Sequence, residues 1–173
     1  MKTTYRVLVT LAVCLAMVAC TKKVKTEDAS NNNNAGSDNG AQTNPMTGDG
    51  MYGPEDLDTD ACLRQRVVYF DFDQDNLKPE FQAIIACHAK YLRDRPSSRM
   101  TLEGHADERG TREYNLGLGE RRGNAVSAAV QGSGGSVSQM TVTSLGEERP
   151  TCLDSNDDCW SKNRRVEISY SSK

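Results

Sequence analysis

The sequence predicts a small α/β sandwich over residues 60–173, made of two strand–helix–strand crossovers and a fourth strand. Three observations predict it. Short β-branched or alternating segments recur at 66–72, 99–104, 140–146 and 164–170. Two stretches, 78–95 and 112–131, carry helical spacing and separate the first three of these segments. The resulting order calls for parallel pairing where those three strands neighbour and for right-handed connections. The fourth strand is left free to join antiparallel.

Each element has a local reason. "RVVYFDF" (66–72) is β-branched and aromatic, as strands are. In 78–95, Pro79 suits a first helical turn, Phe81, Ile84, Ile85, His88 and Leu92 recur every three or four residues, and Pro96 stops the helix. "RMTLEG" (99–104) alternates Met100 and Leu102 with Arg99, Thr101 and Glu103. "GSGG" (132–135) is a turn, and "MTVTSLG" (140–146) is a third strand. In "RRVEISY" (164–170), Val166, Ile168 and Tyr170 alternate with polar residues.

The second helix raises a question of chemistry. With Leu118 at the centre of its face, Tyr114, Ala125 and Ala129 lie within about 40° at 100° per residue. Arg122 lies inside the same stripe, and Arg121 at its edge. An inward arginine keeps its proton, so it must find an acid or line a polar pocket. Asp107 follows the second strand, and Asp71 and Asp73 share one parity at the end of the first. Ligands of open α/β sheets gather at such carboxyl ends. A guanidinium with one or two free carboxylates suits a zwitterion. A structural ion pair between Arg122 and Asp107 explains the same placement, and both readings stand at this point.

The N-terminal third is not core. The chain is 36% hydrophobic, low for a fully globular protein. "MKTTYRVLVTLAVCLAMVAC" has Lys2 and Arg6, then an apolar run from Val7 to Ala19 that is short for a membrane span. It reads as a secretory signal peptide over 1–19. Met17-Val18-Ala19-Cys20 resembles a bacterial lipobox, with Met17 where leucine is usual. That resemblance makes Cys20 the lipidated first mature residue. Thr21, not aspartate, follows it, which implies the outer membrane. Residues 20–59, rich in Asn, Gly, Ser and Asp, read as a lipidated start and a flexible polar tether. Some 40 residues span roughly 130 Å when stretched and roughly 35 Å as a relaxed coil.

The net charge is −3; removing Lys2 and Arg6 makes it −3 − 2 = −5 in the mature chain. No excess of Lys and Arg points to nucleic acid, and no basic patch assists the anchor. Four cysteines remain beyond Cys20: Cys62, Cys87, Cys152 and Cys159. In an oxidising compartment they allow three pairings. Cys152 and Cys159 bound a short loop, so local pairing is expected, which leaves Cys62 to Cys87. His88 and His105 lack ligand spacing, and no metal or cofactor is expected. "GLGERRG" (117–123) has the wrong spacing for a dinucleotide fingerprint and lies within a helix.

"VVYFDFDQDNLKPE", "EGHADERGTREYNLGLGERRGNAV", "SLGEERP" and "WSKNRRVEI" closely resemble the peptidoglycan-associated lipoproteins of Gram-negative bacteria. Those belong to the outer-membrane protein A-like C-terminal domain family, and the likeness covers nearly all of 66–170. It implies a mixed four-stranded sheet with helices packed on one face. It implies non-covalent binding of peptidoglycan through meso-diaminopimelate of the stem peptide. It also implies partnership with TolB and other Tol-system proteins, and a lipid anchor in the inner leaflet of the outer membrane, facing the periplasm. By its motifs, Asp107, Arg122, Phe72 and Asp73 fall on ligand-binding positions. By the same resemblance, Asn115 and Leu118 match positions that shape the pocket, and Gly110 matches the turn beside it. Gly123 stands where the family usually has alanine, at a helical cost of roughly 1 kcal/mol. Two other functions remain: a wall anchor outside the Tol system, and a cell-wall hydrolase using the carboxylates. Arg122 disfavours the last, because it keeps those carboxylates ionised.

Overall fold

The structure is a computed structural model, and it describes residues 50–172. The signal peptide, Cys20 and most of the tether lie outside the described residues. The elements are α1 (Asp56–Thr59), β1 (Val67–Tyr69), a 3-10 turn (Pro79–Phe81) running into α2 (Gln82–Asp94), β2 (Arg99–His105), α3 (Arg112–Gly132), β3 (Met140–Gly146), α4 (Asp157–Asn163) and β4 (Arg165–Ser172).

The sheet order is β1-β4-β2-β3. β2 and β3 pair parallel, and β4 runs antiparallel to both β1 and β2. The fourth strand thus joins inside the sheet, in the gap left by the first crossover. Val166 gains strand neighbours on both sides and Ile168 one in β2, while its N–H reaches the Arg66 carbonyl at 2.8 Å; both are buried. β1 is shorter than the expected 66–72. Phe70 N–H still reaches the Arg164 carbonyl at 2.9 Å. β4 starts at Arg165, so no further pairing holds the chain, which peels away from Asp71 onward.

One apolar core joins Ile85, Ala89 and Leu92 of α2 to Val126 and Val130 of α3, over Met100, Leu102, Val166, Ile168 and Val68 of the sheet. The buried face of α3 is Asn115, Leu118, Gly119, Arg122, Gly123, Val126 and Val130. The expected stripe through Tyr114, Ala125 and Ala129 is therefore turned aside, and Tyr114 is 45% exposed. The glycines explain the shift. A Cβ on Gly104 would lie 1.9 Å from the Gly119 carbonyl oxygen, so β2 and α3 touch backbone to backbone. A Cβ on Gly123 would lie 2.6 Å from Cγ1 of Val142, so this glycine makes room for a β3 side chain as well as lowering helix propensity.

Residues 50–59, expected in the tether, pack against the domain. Tyr52 and Leu57 form a second cluster with Leu63 and Tyr91. Tyr52 N–H donates to Asp94 Oδ2 at 2.8 Å. The folded unit therefore begins before residue 60: two apolar side chains in a polar stretch suffice to dock it. Cys62 is bonded to Cys87, tying this segment to α2, and Cys152 is bonded to Cys159.

His88 is fully buried, with Nδ1 2.8 Å from the Tyr170 hydroxyl and Nε2 3.0 Å from the Gln65 carbonyl oxygen. A carbonyl only accepts, so the neutral ring donates from Nε2 and accepts from Tyr170 at Nδ1. Burial lowers the His88 pKa, and burial with the charge of Arg165 lowers His105 to about 4. Between that value and the ordinary one near 6.5, the unfolded chain binds more protons than the folded one. Stability is therefore expected to fall as pH drops from about 6.5 toward about 4, with no histidine contribution above that window. Thermal melts across the window check this; an unchanged midpoint contradicts it.

Candidate functional site

The carboxyl ends of β1 and β2 and the first half of α3 enclose a cavity of about 200 Å³. Its lining brings together Phe72, Asp73, Asp107, Gly110, Asn115, Leu118 and Arg122, all seven residues singled out by sequence, and adds Arg109 and Tyr114.

Arg122 is the largest fully buried side chain among the described residues. Its Nε donates to the Gln74 carbonyl at 2.8 Å, Nη1 to the His105 carbonyl at 2.7 Å and Nη2 to the Asp71 carbonyl at 3.1 Å. Phe70 lies under it, 5.3 Å from ring centre to guanidinium carbon. These bonds use three of its five N–H donors, so two remain for a ligand. Burial lowers its pKa to about 10, which leaves it cationic at neutral pH.

Its hydrogen bonds go to carbonyls, so the direct Arg122–Asp107 ion pair is not the observed arrangement. Asp71 likewise contributes only its backbone oxygen. Its carboxylate points outward and pairs with Lys78 at 2.7 Å. Peeling of the chain after β1 turns that oxygen toward the buried cation.

Asp107 is 4% exposed. Arg109 grips it twice, Nε to Oδ1 at 3.1 Å and Nη2 to Oδ2 at 2.7 Å, and Arg164 Nη1 reaches Oδ2 at 3.2 Å. Burial raises the Asp107 pKa, but the hydrogen bonds from Arg109 and Arg164 outweigh it and hold the carboxyl below its ordinary value. An acid held ionised this firmly is a poor proton donor.

The loop after β2 is fixed by α3. Asn115 Nδ2 donates to the Asp107 carbonyl at 3.0 Å and the Arg109 carbonyl at 3.3 Å. Gly110 turns the loop at φ 119°, a region that favours glycine. Opposite, Asp73 adopts φ 54°, the one positive φ outside glycine among the described residues, and its carboxylate accepts from the Tyr114 hydroxyl. Phe72, 55% exposed, stands at the rim.

Sequence reasoning missed Arg109, Arg164 and Trp160. Arg109 lies between two rings, its guanidinium carbon 4.0 Å from the centre of Phe72 and 4.1 Å from that of Trp160. Trp160 sits on α4, an unexpected helix capped by Asn156, whose side chain accepts from Cys159 N–H at 2.9 Å. The side chain of Arg109, two residues past Asp107, was the one legible signal.

Glu103, His105 and Glu167 place potential metal ligands within 4.8 Å of one another, on the strand face opposite the apolar core. Arg165 already holds Glu167 at 2.6 Å, and the charges of Arg165 and Arg149 bear on His105. This cationic surrounding opposes a metal ion.

The OmpA family model matches residues 69–164. The chain is 38% identical to a peptidoglycan-associated lipoprotein of Haemophilus influenzae over 82% of this chain and 87% of that one. It is 40% identical to one of Pseudomonas putida over 91% of this chain and 92% of that one. The crystal structure of the peptidoglycan-associated lipoprotein of Burkholderia pseudomallei superposes with a TM-score of 0.65 at 40% identity, over 67% of this chain and 98% of that one. A buried arginine and a buried aspartate, brought to one pocket on the sheet and helices of this family, agree with that likeness: the chain belongs to the OmpA family, among the peptidoglycan-associated lipoproteins.

Proposed function

We propose that this pocket binds peptidoglycan non-covalently, through the zwitterionic free end of meso-diaminopimelate in the stem peptide. One observation carries the reading: a buried guanidinium with donors to spare and a buried carboxylate line the same cavity. Arg122 takes the ligand carboxylate and Asp107 its ammonium, while Phe72 and Asp73 close the site from the β1 loop. Asn115, Leu118 and Gly110 give it shape. The chain is a binder on this reading: the site carboxylate is held ionised, a poor general acid, and its acceptor directions are taken up by Arg109 and Arg164. Purified mature chain is expected to co-sediment with Gram-negative sacculi; a chain that stays in the supernatant contradicts the reading.

The anchor completes the function. Lipid on Cys20 holds the chain to the inner leaflet of the outer membrane, and the tether lets the domain reach the wall. Among the described residues no helix is long and apolar enough to cross a membrane. The chain acts with TolB and the Tol system in envelope integrity and in constriction at division. Capture of TolB by the domain tests this; sacculus binding without TolB binding makes it a wall anchor outside that system. Cys20→Ala is expected to give a soluble or uncleaved product on fractionation. A variant processed and membrane-bound like the original contradicts the anchor.

A further inference from the structure

We propose that Arg109 stands in for the ligand's ammonium on Asp107 and is exchanged for it on binding, which makes Arg109 a specificity-determining residue. The inference rests on the reading of the pocket as a zwitterion site.

A carboxylate offers about four acceptor directions. On Asp107 all are used: Oδ1 accepts from Arg109 N–H at 3.1 Å and Nε at 3.1 Å, and Oδ2 from Arg109 Nη2 at 2.7 Å and Arg164 Nη1 at 3.2 Å. An ammonium therefore reaches Asp107 only by displacing a donor already there. Arg164 is the harder one to move, since its side chain is 13% exposed and its Nε also donates to the Phe70 carbonyl at 3.1 Å. The Arg109 N–H belongs to the loop backbone that Asn115 holds. The Arg109 guanidinium remains. It is 30% exposed and sits on a turn.

It also has somewhere to go. Phe72 and Trp160 both lie against its guanidinium, so it keeps a ring contact as it shifts. Asp157 Oδ1, on a side chain 90% exposed, already lies 3.8 Å from Nη1 on the outer side. On exchange, Arg109 gives up Asp107 and turns toward Asp157, while Arg164 and the loop N–H keep Asp107 in place.

The exchange sets a requirement on the ligand. Only a full positive charge replaces the guanidinium on equal terms; an acylated amine is neutral and does not. The site therefore selects stem peptides whose diaminopimelate amine is free over those in which it is amide-linked.

The chain has a single tryptophan, Trp160, and it touches Arg109. The probe is a soluble diaminopimelate stem peptide, titrated into the mature protein while Trp160 emission is followed. Emission is expected to change as Arg109 leaves the indole, and an N-acetylated peptide is expected to produce no change. Arg109→Ala and Arg109→Gln are expected to bind on the order of ten-fold more tightly, about the weight of one charge-assisted hydrogen bond. Variants that bind equally or more weakly, or wild-type binding with unaltered emission, overturn the exchange while leaving the pocket reading intact. Failure of wild type and both variants to bind the peptide overturns both.

Discussion

Arg122→Ala is expected to abolish sacculus binding and to destabilise the domain by several kcal/mol, since three carbonyls each lose a donor at a cost of about 1–3 kcal/mol where the oxygen stays buried. The side chain is fully buried and ties three carbonyls together: Asp71 and Gln74 of the β1 loop, and His105 at the end of β2. Without it those oxygens lose their donor, and the loop that carries Phe72 and Asp73 keeps only its exposed ties to α3, Tyr114 to Asp73 and Arg121 to Asp75. Arg122→Lys separates charge from geometry. A lysine keeps the charge, but its compact ammonium cannot reproduce the rigid planar fork. It should recover part of the stability and little of the binding. Urea melts give the first quantity and sacculus co-sedimentation the second. A folded Arg122→Ala domain that binds sacculi like the original makes this residue a structural tie alone.

Asp107→Asn carries the second largest effect. The aspartate neutralises Arg109 and Arg164 and lies within the electrostatic reach of Arg122. An amide of the same shape leaves the little-exposed Arg164 without its anionic partner, while Arg109 keeps Asp157 within reach, a loss of about 1.5–3 kcal/mol, the weight of a hydrogen bond to a charged group. It also presents an N–H₂ group where donors converge. Binding should fall by roughly ten- to a hundred-fold, the weight of a charge-assisted pair. The pH dependence has a definite sign. The folded pKa of Asp107 lies below its ordinary 3.8. Its contribution is therefore full above that ordinary value and is lost as pH falls through the folded value. The stability gap between wild type and Asp107→Asn should stay constant from neutral pH down to about pH 4 and close below it. A gap that closes near neutrality contradicts the assignment.

What could be read from sequence depended on how each residue signals. Alternating strands and the α2 stripe have strong periodicity, and β3 occupies the expected 140–146. The α3 face was harder, because its buried positions include Asn115, Gly119, Arg122 and Gly123, which hydropathy counts as polar or neutral. Arg122 drew notice for the opposite reason: no surface helix needs a cation there. The place of β4 inside the sheet follows from long-range pairing that local pattern does not carry. Trp160 and Arg164, on and just after α4, meet the pocket residues Arg109 and Asp107 only because β4, which follows them, runs beside β1, so their part was invisible. Tyr52 and Leu57 were lost in the composition of the tether, although each is buried.

The most direct test of the central claim compares two stem peptides by calorimetric titration into the mature domain. One ends in meso-diaminopimelate, and the other carries lysine at that position. Lysine keeps the side-chain ammonium but lacks the second carboxylate, the group assigned to the free donors of Arg122. The diaminopimelate peptide should bind at least about ten-fold more tightly, and Arg122→Lys should narrow that difference. Equal affinity of the wild-type domain for both peptides would contradict the account.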